Sequence, residues 1–171
     1  QGPALFLFLD TCTFVGSPVD AAIAKDVRKE QAAWIDGLKN TDEWKKSTFR
    51  IVFSHNSTHA CQWPDEMSDF WGALNETDPA RRIHIYLGGH MHRHLRIEPG
   101  TEQSRIIMPK RRGGGTNEFH YPLVQIKEQT AGQIAVSPEK LTFKFFTDEI
   151  AADGTPVLRD QFDLFPDGTL K

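Results

Sequence analysis

Three histidines stand directly after runs that read as β-strands. His55 follows Thr48–Ser54 (TFRIVFS), and His90 and His92 follow Ile83–Leu87 (IHIYL) in the turn Gly88-Gly89-His90-Met91-His92. Neutral imidazole is a good ligand for zinc, iron, manganese and nickel. In α/β sheets, ligands bind in the crevice beyond the carboxyl ends of the strands. Two strand ends carrying three imidazoles to one edge would therefore assemble part of a metal site. The paired glycines let the turn tighten and the backbone come close. A lone strand-end histidine is more often a hydrogen-bonded loop residue. The conjunction of an H-x-H pair after a double glycine with His55 on a separate strand is what points to metal.

Other residues extend the candidate set. His59, four residues after His55, could contact a substrate or donate a proton, or only cap the next turn. His94 continues the alternation of His90 and His92 and could line the same mouth, or face solvent from a strand. Asn56 could hydrogen-bond to phosphate, although loop asparagines usually serve turn geometry. Lys110-Arg111-Arg112 before Gly113-Gly114-Gly115 could cradle an anion with guanidinium forks and backbone N–H groups, though such runs are more often solvated loops. His84 and His120 read as structural. The sequons Asn56-Ser57-Thr58 and Asn75-Glu76-Thr77 read as coincidental, since a glycan on Asn56 would block the neighbouring candidate ligand.

The elements that must hold these residues follow from the hydrophobic pattern. Ala4–Leu9 is a continuous apolar run, as expected of a strand covered on both faces. Asp10 to Asp20, with Gly16 and Pro18, reads as a loop. Val27, Gln31, Trp34, Ile35 and Leu38 recur at helical spacing from about Asp26 to Leu38. Pro64 can open a second helix, with Met67, Phe70, Trp71 and Leu74 along one face. Strand–helix–strand–helix–strand alternation indicates an α/β architecture. After His94 the chain reads as mainly β, with strands expected at Leu95–Glu98, Ser104–Met108, Tyr121–Ile126, Lys140–Phe146 and Val157–Phe165.

The 171 residues, 39% hydrophobic and 25% charged, suit one soluble globular domain and exclude a disordered tail or a disulfide-stapled mini-protein. A formal net charge of −3 offers no strong positive field for nucleic acid. The run Ala4–Leu9 is too short for a signal-peptide core or a membrane span. Cys12 and Cys61 can pair or stay free, so a bacterial cytoplasm and an exported setting both remain open. The chain opens on Gln1-Gly2-Pro3 without an initiator methionine and runs at once into the apolar strand, which reads as a piece of something longer.

The segments IVFSHNSTH and IHIYLGGHMHRH resemble the last two blocks of the calcineurin-like metallophosphoesterases. FLFLDT, a loop and KEQAAWIDGL resemble the segment that precedes them, so the likeness spans about residues 4 to 94. The glycine-rich RRGGGTNEFHYPLVQI is compatible with the C-terminal ends of some bacterial members. The resemblance implies a dinuclear centre of two divalent or trivalent ions (Mn, Fe or Zn) bridged by a carboxylate and a hydroxide. On that likeness His55 and His90 are ligands of one metal and His92 is a ligand of the other. It further implies hydrolysis of a phosphomonoester or phosphodiester by metal-activated hydroxide, with ions about 3.5–4 Å apart. His59 is the candidate catalytic residue.

The family's earlier blocks, D-x-H, G-D-x-x-D and G-N-H-D/E, have no counterpart here, because Asp10 is followed by Thr11-Cys12 and no Gly-Asp or Gly-Asn-His occurs. The implied fold is therefore the C-terminal half of a four-layer αββα sandwich. Residues 1–98 would form the half-core and residues 99–171 a β-rich extension packed on the same domain. An N-terminal half of the same fold is the expected partner, completing the site and covering the apolar strand. Alone, this chain should be inactive and should not bind two metals well. Two other readings compete. One is a non-catalytic interaction or scaffold fragment with a relic half-site. The other is a single-metal β-sandwich of cupin type using His90, His92 and Glu98.

Overall fold

A computed structural model describes residues 2–11, 21–56, 68–90, 92–107, 119–126 and 131–171. In chain order these form β1 (Ala4–Leu9), α1 (Ala21–Leu38), α2 (Asp42–Lys46), β2 (Phe49–Asn56), α3 (Ser68–Leu74), β3 (Ile85–Gly89), β4 (Leu95–Ile97), α4 (Glu102–Ile107), β5 (Leu123–Gln125), β6 (Ala131–Val136), β7 (Leu141–Ile150) and β8 (Pro156–Leu164). The fold is mixed α/β. One sheet has the order β1-β2-β3-β5-β4, parallel from β1 to β5 and closed by antiparallel β4. The other is the antiparallel sheet β6-β7-β8. β5 lies beyond residue 98 and is inserted between β3 and β4, so both stretches of the chain contribute to the larger sheet.

Alternation along the strands decides what covers each face. Leu7, Val52, Tyr86 and Leu123 pack with Ile35, Trp44, Phe70, Trp71 and Leu74 from the helical side. Phe49, Ile51, Ile85, Leu87 and Val124 pack on the opposite face with Phe143, Phe145, Phe162 and Leu164 of the three-stranded sheet. The layers run helices, five-stranded sheet, three-stranded sheet.

β1 departs from expectation. Its uninterrupted apolar sequence predicts burial on both faces, yet it is an edge strand. Leu7 and Leu9 are buried on the helical side, while Phe6 and Phe8 are 47% and 75% exposed. The two exposed rings lie against Phe53, at 6.2 Å and 5.1 Å between centroids. The sequence pattern records that both faces are apolar; it does not record which face is covered.

The helices show similar offsets. The buried line of α1 runs through Ala24, Arg28, Ala32 and Ile35, with Lys39 buried just past its end, and Trp34, expected in the apolar stripe, is half exposed. Gln31 is not packing filler: its amide donates to the Asp10 carbonyl at 2.8 Å and its oxygen accepts from Asp10 N–H at 3.0 Å, tying the end of β1 to α1. Pro64 and Met67 lie outside the described residues, and α3 begins at Ser68. The strand expected at Ser104–Met108 is instead α4. Thr101 accepts from Ser104 N–H at 3.3 Å as an N-cap, and Glu102 occupies the first turn, so the capping signal outweighs the β-branched Ile106-Ile107 pair. β6 was not legible at all, because an edge strand with mostly exposed side chains lacks an apolar alternation.

One end of the large sheet is fastened by a buried imidazole. His84, just ahead of β3, accepts from Arg50 N–H at 3.1 Å and its other ring nitrogen lies 3.2 Å from the Pro166 carbonyl. Arg82 donates to the Asp167 carbonyl at 2.9 Å. Gly168 has φ +91°, a left-handed backbone that favours glycine in this turn. Burial, then the nearby Arg50 guanidinium, pushes the His84 imidazole down to about 4.

The unfolded chain therefore binds a proton at His84 near pH 6.5 while the folded chain resists until about pH 4. Stability contributed by the neutral ring is complete above pH 6.5 and falls as pH drops through this window, by about 2 kcal/mol between pH 7 and pH 5. Urea unfolding at the two pH values should show this loss in the wild-type chain and a smaller one in His84→Gln. Identical pH slopes would contradict the assignment. In the same assay Trp44→Ala should cost about 3–5 kcal/mol, and the half-exposed Trp34→Ala far less.

Candidate metal centre

β2 and β3 run parallel, and their ends carry the candidate ligands. The pairing is regular from Ile51↔Ile85 to Phe53↔Leu87 and resumes at Asn56↔Gly89. Three residues of β2 thus span two of β3, which is a bulge at Ser54-His55. Bulges re-aim side chains and bend the strand at sheet ends and beside sites. Here the result is an exposed His55 followed at once by a buried Asn56.

Asn56 holds that geometry. Its N–H donates to Thr11 Oγ1 at 2.8 Å and its side-chain amide donates to the Thr11 carbonyl at 2.7 Å, so the end of β1 is pinned to the end of β2. Its own carbonyl accepts from Tyr86 Oη at 2.9 Å and from Ser54 Oγ at 2.6 Å, and those two hydroxyls also bond each other. Asn56 is 2% exposed, so it shapes the strand end and is not a surface phosphate contact. Asn75 is buried too, accepting from His120 N–H at 2.8 Å. Neither sequon asparagine presents its side chain to solvent.

On β3 the strand runs through both glycines and stops at Gly89. A β-carbon at Gly89 would already touch the His55 carbonyl at 3.4 Å, a measure of how closely the two strand ends approach. His90 and His92 have φ of 73° and 52°, the left-handed region that side chains other than glycine disfavour. Each holds that conformation at a cost of about 1–2 kcal/mol. Strain of this kind gathers at ligand and switch sites.

The outcome is an imidazole pair. His90 Nδ1 lies 3.2 Å from His55 Nε2, with the rings nearly perpendicular at 83°. As a free pair this is an N–H···N hydrogen bond, in which one ring donates and the other accepts. Two nitrogens on one tetrahedral zinc, each at about 2.0–2.1 Å, would stand roughly 3.3 Å apart. The spacing is thus also that of two ligands sharing an ion. His92 joins His55 and His90 in lining a cavity of about 310 Å³ walled by Phe53, Leu87 and Ile126.

The donor set is incomplete. Among the described residues no group of three or more His, Cys, Asp or Glu side chains is gathered closely enough to hold a metal ion. Among the described residues, His55 and His90 fit part of one coordination sphere.

The remaining candidates separate clearly. His94 does not line the cavity: it stacks on Phe145 at 4.1 Å and lies 3.2 Å from Asp160 Oδ2, joining the two sheets. Glu98 pairs with Arg96 at 3.2 Å, and among the described residues His90, His92 and Glu98 are not gathered into the three-ligand set of the cupin-type reading. His59, Cys12, Cys61 and the Lys110–Gly115 run lie outside the described residues. Thr11, Tyr86 and Ser54 leave no local pattern in the sequence, since their hydrogen bonds span thirty or more positions.

No protein-family model matches the chain, and no curated protein matches it.

The strained turn is directly testable. His92→Gly should unfold at higher urea than His92→Ala, by about 1 kcal/mol, because glycine accepts the left-handed backbone and alanine does not. Equal stability of the two variants would contradict the strain.

Proposed function

We propose that this chain is the histidine-bearing half of a metal-dependent phosphoesterase of the calcineurin-like kind. The observation that carries the reading is the 3.2 Å approach of His55 Nε2 to His90 Nδ1 at the carboxyl ends of parallel strands. His55 and His90 would hold one ion, and His92, across the same cavity, would reach toward a second. When bound, such ions neutralise charge on phosphoryl oxygens and activate water. The chain's own contribution is orientation. The Asn56–Thr11 bonds and the Tyr86–Ser54 hydroxyls fix the bulge that aims His55. The apolar wall of Phe53, Leu87 and Ile126 lowers the local polarity behind the imidazoles.

The carboxylates that a dinuclear site requires would come from a complementary half of the fold. The open edge of β1, with Phe6 and Phe8 exposed beside Phe53, is the surface such a half would cover in a four-layer αββα sandwich. The substrate would be a phosphomonoester or a phosphodiester. The second reading is a non-catalytic interaction module, favoured by the lack of a three-ligand cluster among the described residues. Among those residues, no helix is long and apolar enough to cross a membrane.

The test uses the protein carrying both halves. With Mn²⁺ it should hydrolyse a generic aryl phosphate, and His90→Ala or His92→Ala should lower turnover at least ~100-fold. Turnover unchanged in both variants would defeat the enzyme reading and leave the interaction module.

A further inference from the structure

β5 ends beside the candidate centre in an arrangement that backbone pairing alone does not require. The parallel β3–β5 ladder pairs Tyr86↔Leu123, Leu87↔Val124 and Gly88↔Gln125. Its last backbone bond runs from Ile126 N–H to the Gly88 carbonyl at 2.8 Å. The next carbonyl of β3, that of Gly89, receives a side chain instead: Gln125 Nε2 donates to it at 2.6 Å. Gln125 is fully buried, and its Oε1 is buried without a hydrogen-bond partner among the described residues.

That carbonyl belongs to the peptide joining Gly89 to His90. Fixing its direction fixes the peptide plane from which His90 departs at φ 73°, and so the direction in which the His90 ring leaves the strand. A buried amide with an orphaned oxygen is costly, on the order of 1–3 kcal/mol, where an apolar side chain would cost nothing. Tertiary packing alone therefore disfavours glutamine at this place between β3 and β4. We propose that Gln125 is a positioning residue for His90, extending the β3–β5 ladder by one side-chain bond so that the imidazole faces His55. The role of that pose in metal binding rests on the phosphoesterase reading; the positioning itself does not.

The test reads the imidazole pair in metal-free protein. Long-range ¹H–¹⁵N spectra of histidine-labelled wild-type chain should show His55 and His90 each held in one tautomer by their mutual hydrogen bond. Gln125→Met keeps the side-chain length and removes the donor, and should release both rings to averaged tautomers. Leu123→Val, a packing change on the same strand, should leave the pair intact. Wild-type spectra in Gln125→Met would overturn the proposal, and so would equal loss in the two variants. Should Gln125→Met not fold, the wild-type chain still decides: the Gln125 side-chain amide protons should exchange slowly, and exchange at the rate of a free amide would overturn it. Zinc titration adds the link to function, with affinity expected to fall about 10–100-fold in Gln125→Met. A wild-type chain that bound no zinc would defeat the metal reading, while the metal-free spectra would still judge the positioning.

Discussion

β2 and β3 run side by side in parallel, and the candidate centre depends on the single place where that pairing slips. Were the register unbroken beyond Phe53↔Leu87, Asn56 would stand opposite His90 and its side chain would reverse faces. The extra residue at Ser54-His55 instead leaves Asn56 buried and His55 exposed, with its Nε2 3.2 Å from His90 Nδ1. The slip is held by hydrogen bonds at the Asn56 backbone and amide nitrogen. Thr11, Tyr86 and Ser54 take up the hydrogen bonds that the interrupted ladder releases.

The two ends of the sheet are organised on different principles. At the amino end of β3, His84 and Arg50 form a closed structural knot. The Arg50 guanidinium lies over the Trp44 ring and donates to the Arg82 and Pro79 carbonyls, and burial lowers it to about 10. At the carboxyl end, strained backbone, an open cavity and a bare imidazole pair replace that closure. Phe6 and Phe8 on the edge strand β1 leave large apolar side chains exposed on the same sheet.

Much of this was legible in the sequence. A continuous apolar run marked β1, strand-like runs marked β2, β3, β4, β5, β7 and β8, and the positions of His55, His90 and His92 after two of them pointed to one sheet edge. His84 read as structural, and its burial between Arg50 and Pro166 explains why. Three kinds of information were absent from local pattern. Coverage was one: Ala4–Leu9 looks the same whether one face is covered or two. Capping against propensity was another, as Thr101 turned Ser104–Ile107 into helix. Long-range hydrogen bonding was the third. Nothing in the neighbourhood of Gln125 announces that its amide reaches Gly89, thirty-six positions earlier. His94, in step with His90 and His92 along the chain, was drawn away by Asp160 and Phe145 from the other sheet.

As two arms of one coordination sphere, His55 and His90 should hold one zinc ion per chain in titration calorimetry, with binding lost in His55→Ala and in His90→Ala. Two tight sites on this chain alone, or undiminished binding in both variants, would rule that arrangement out.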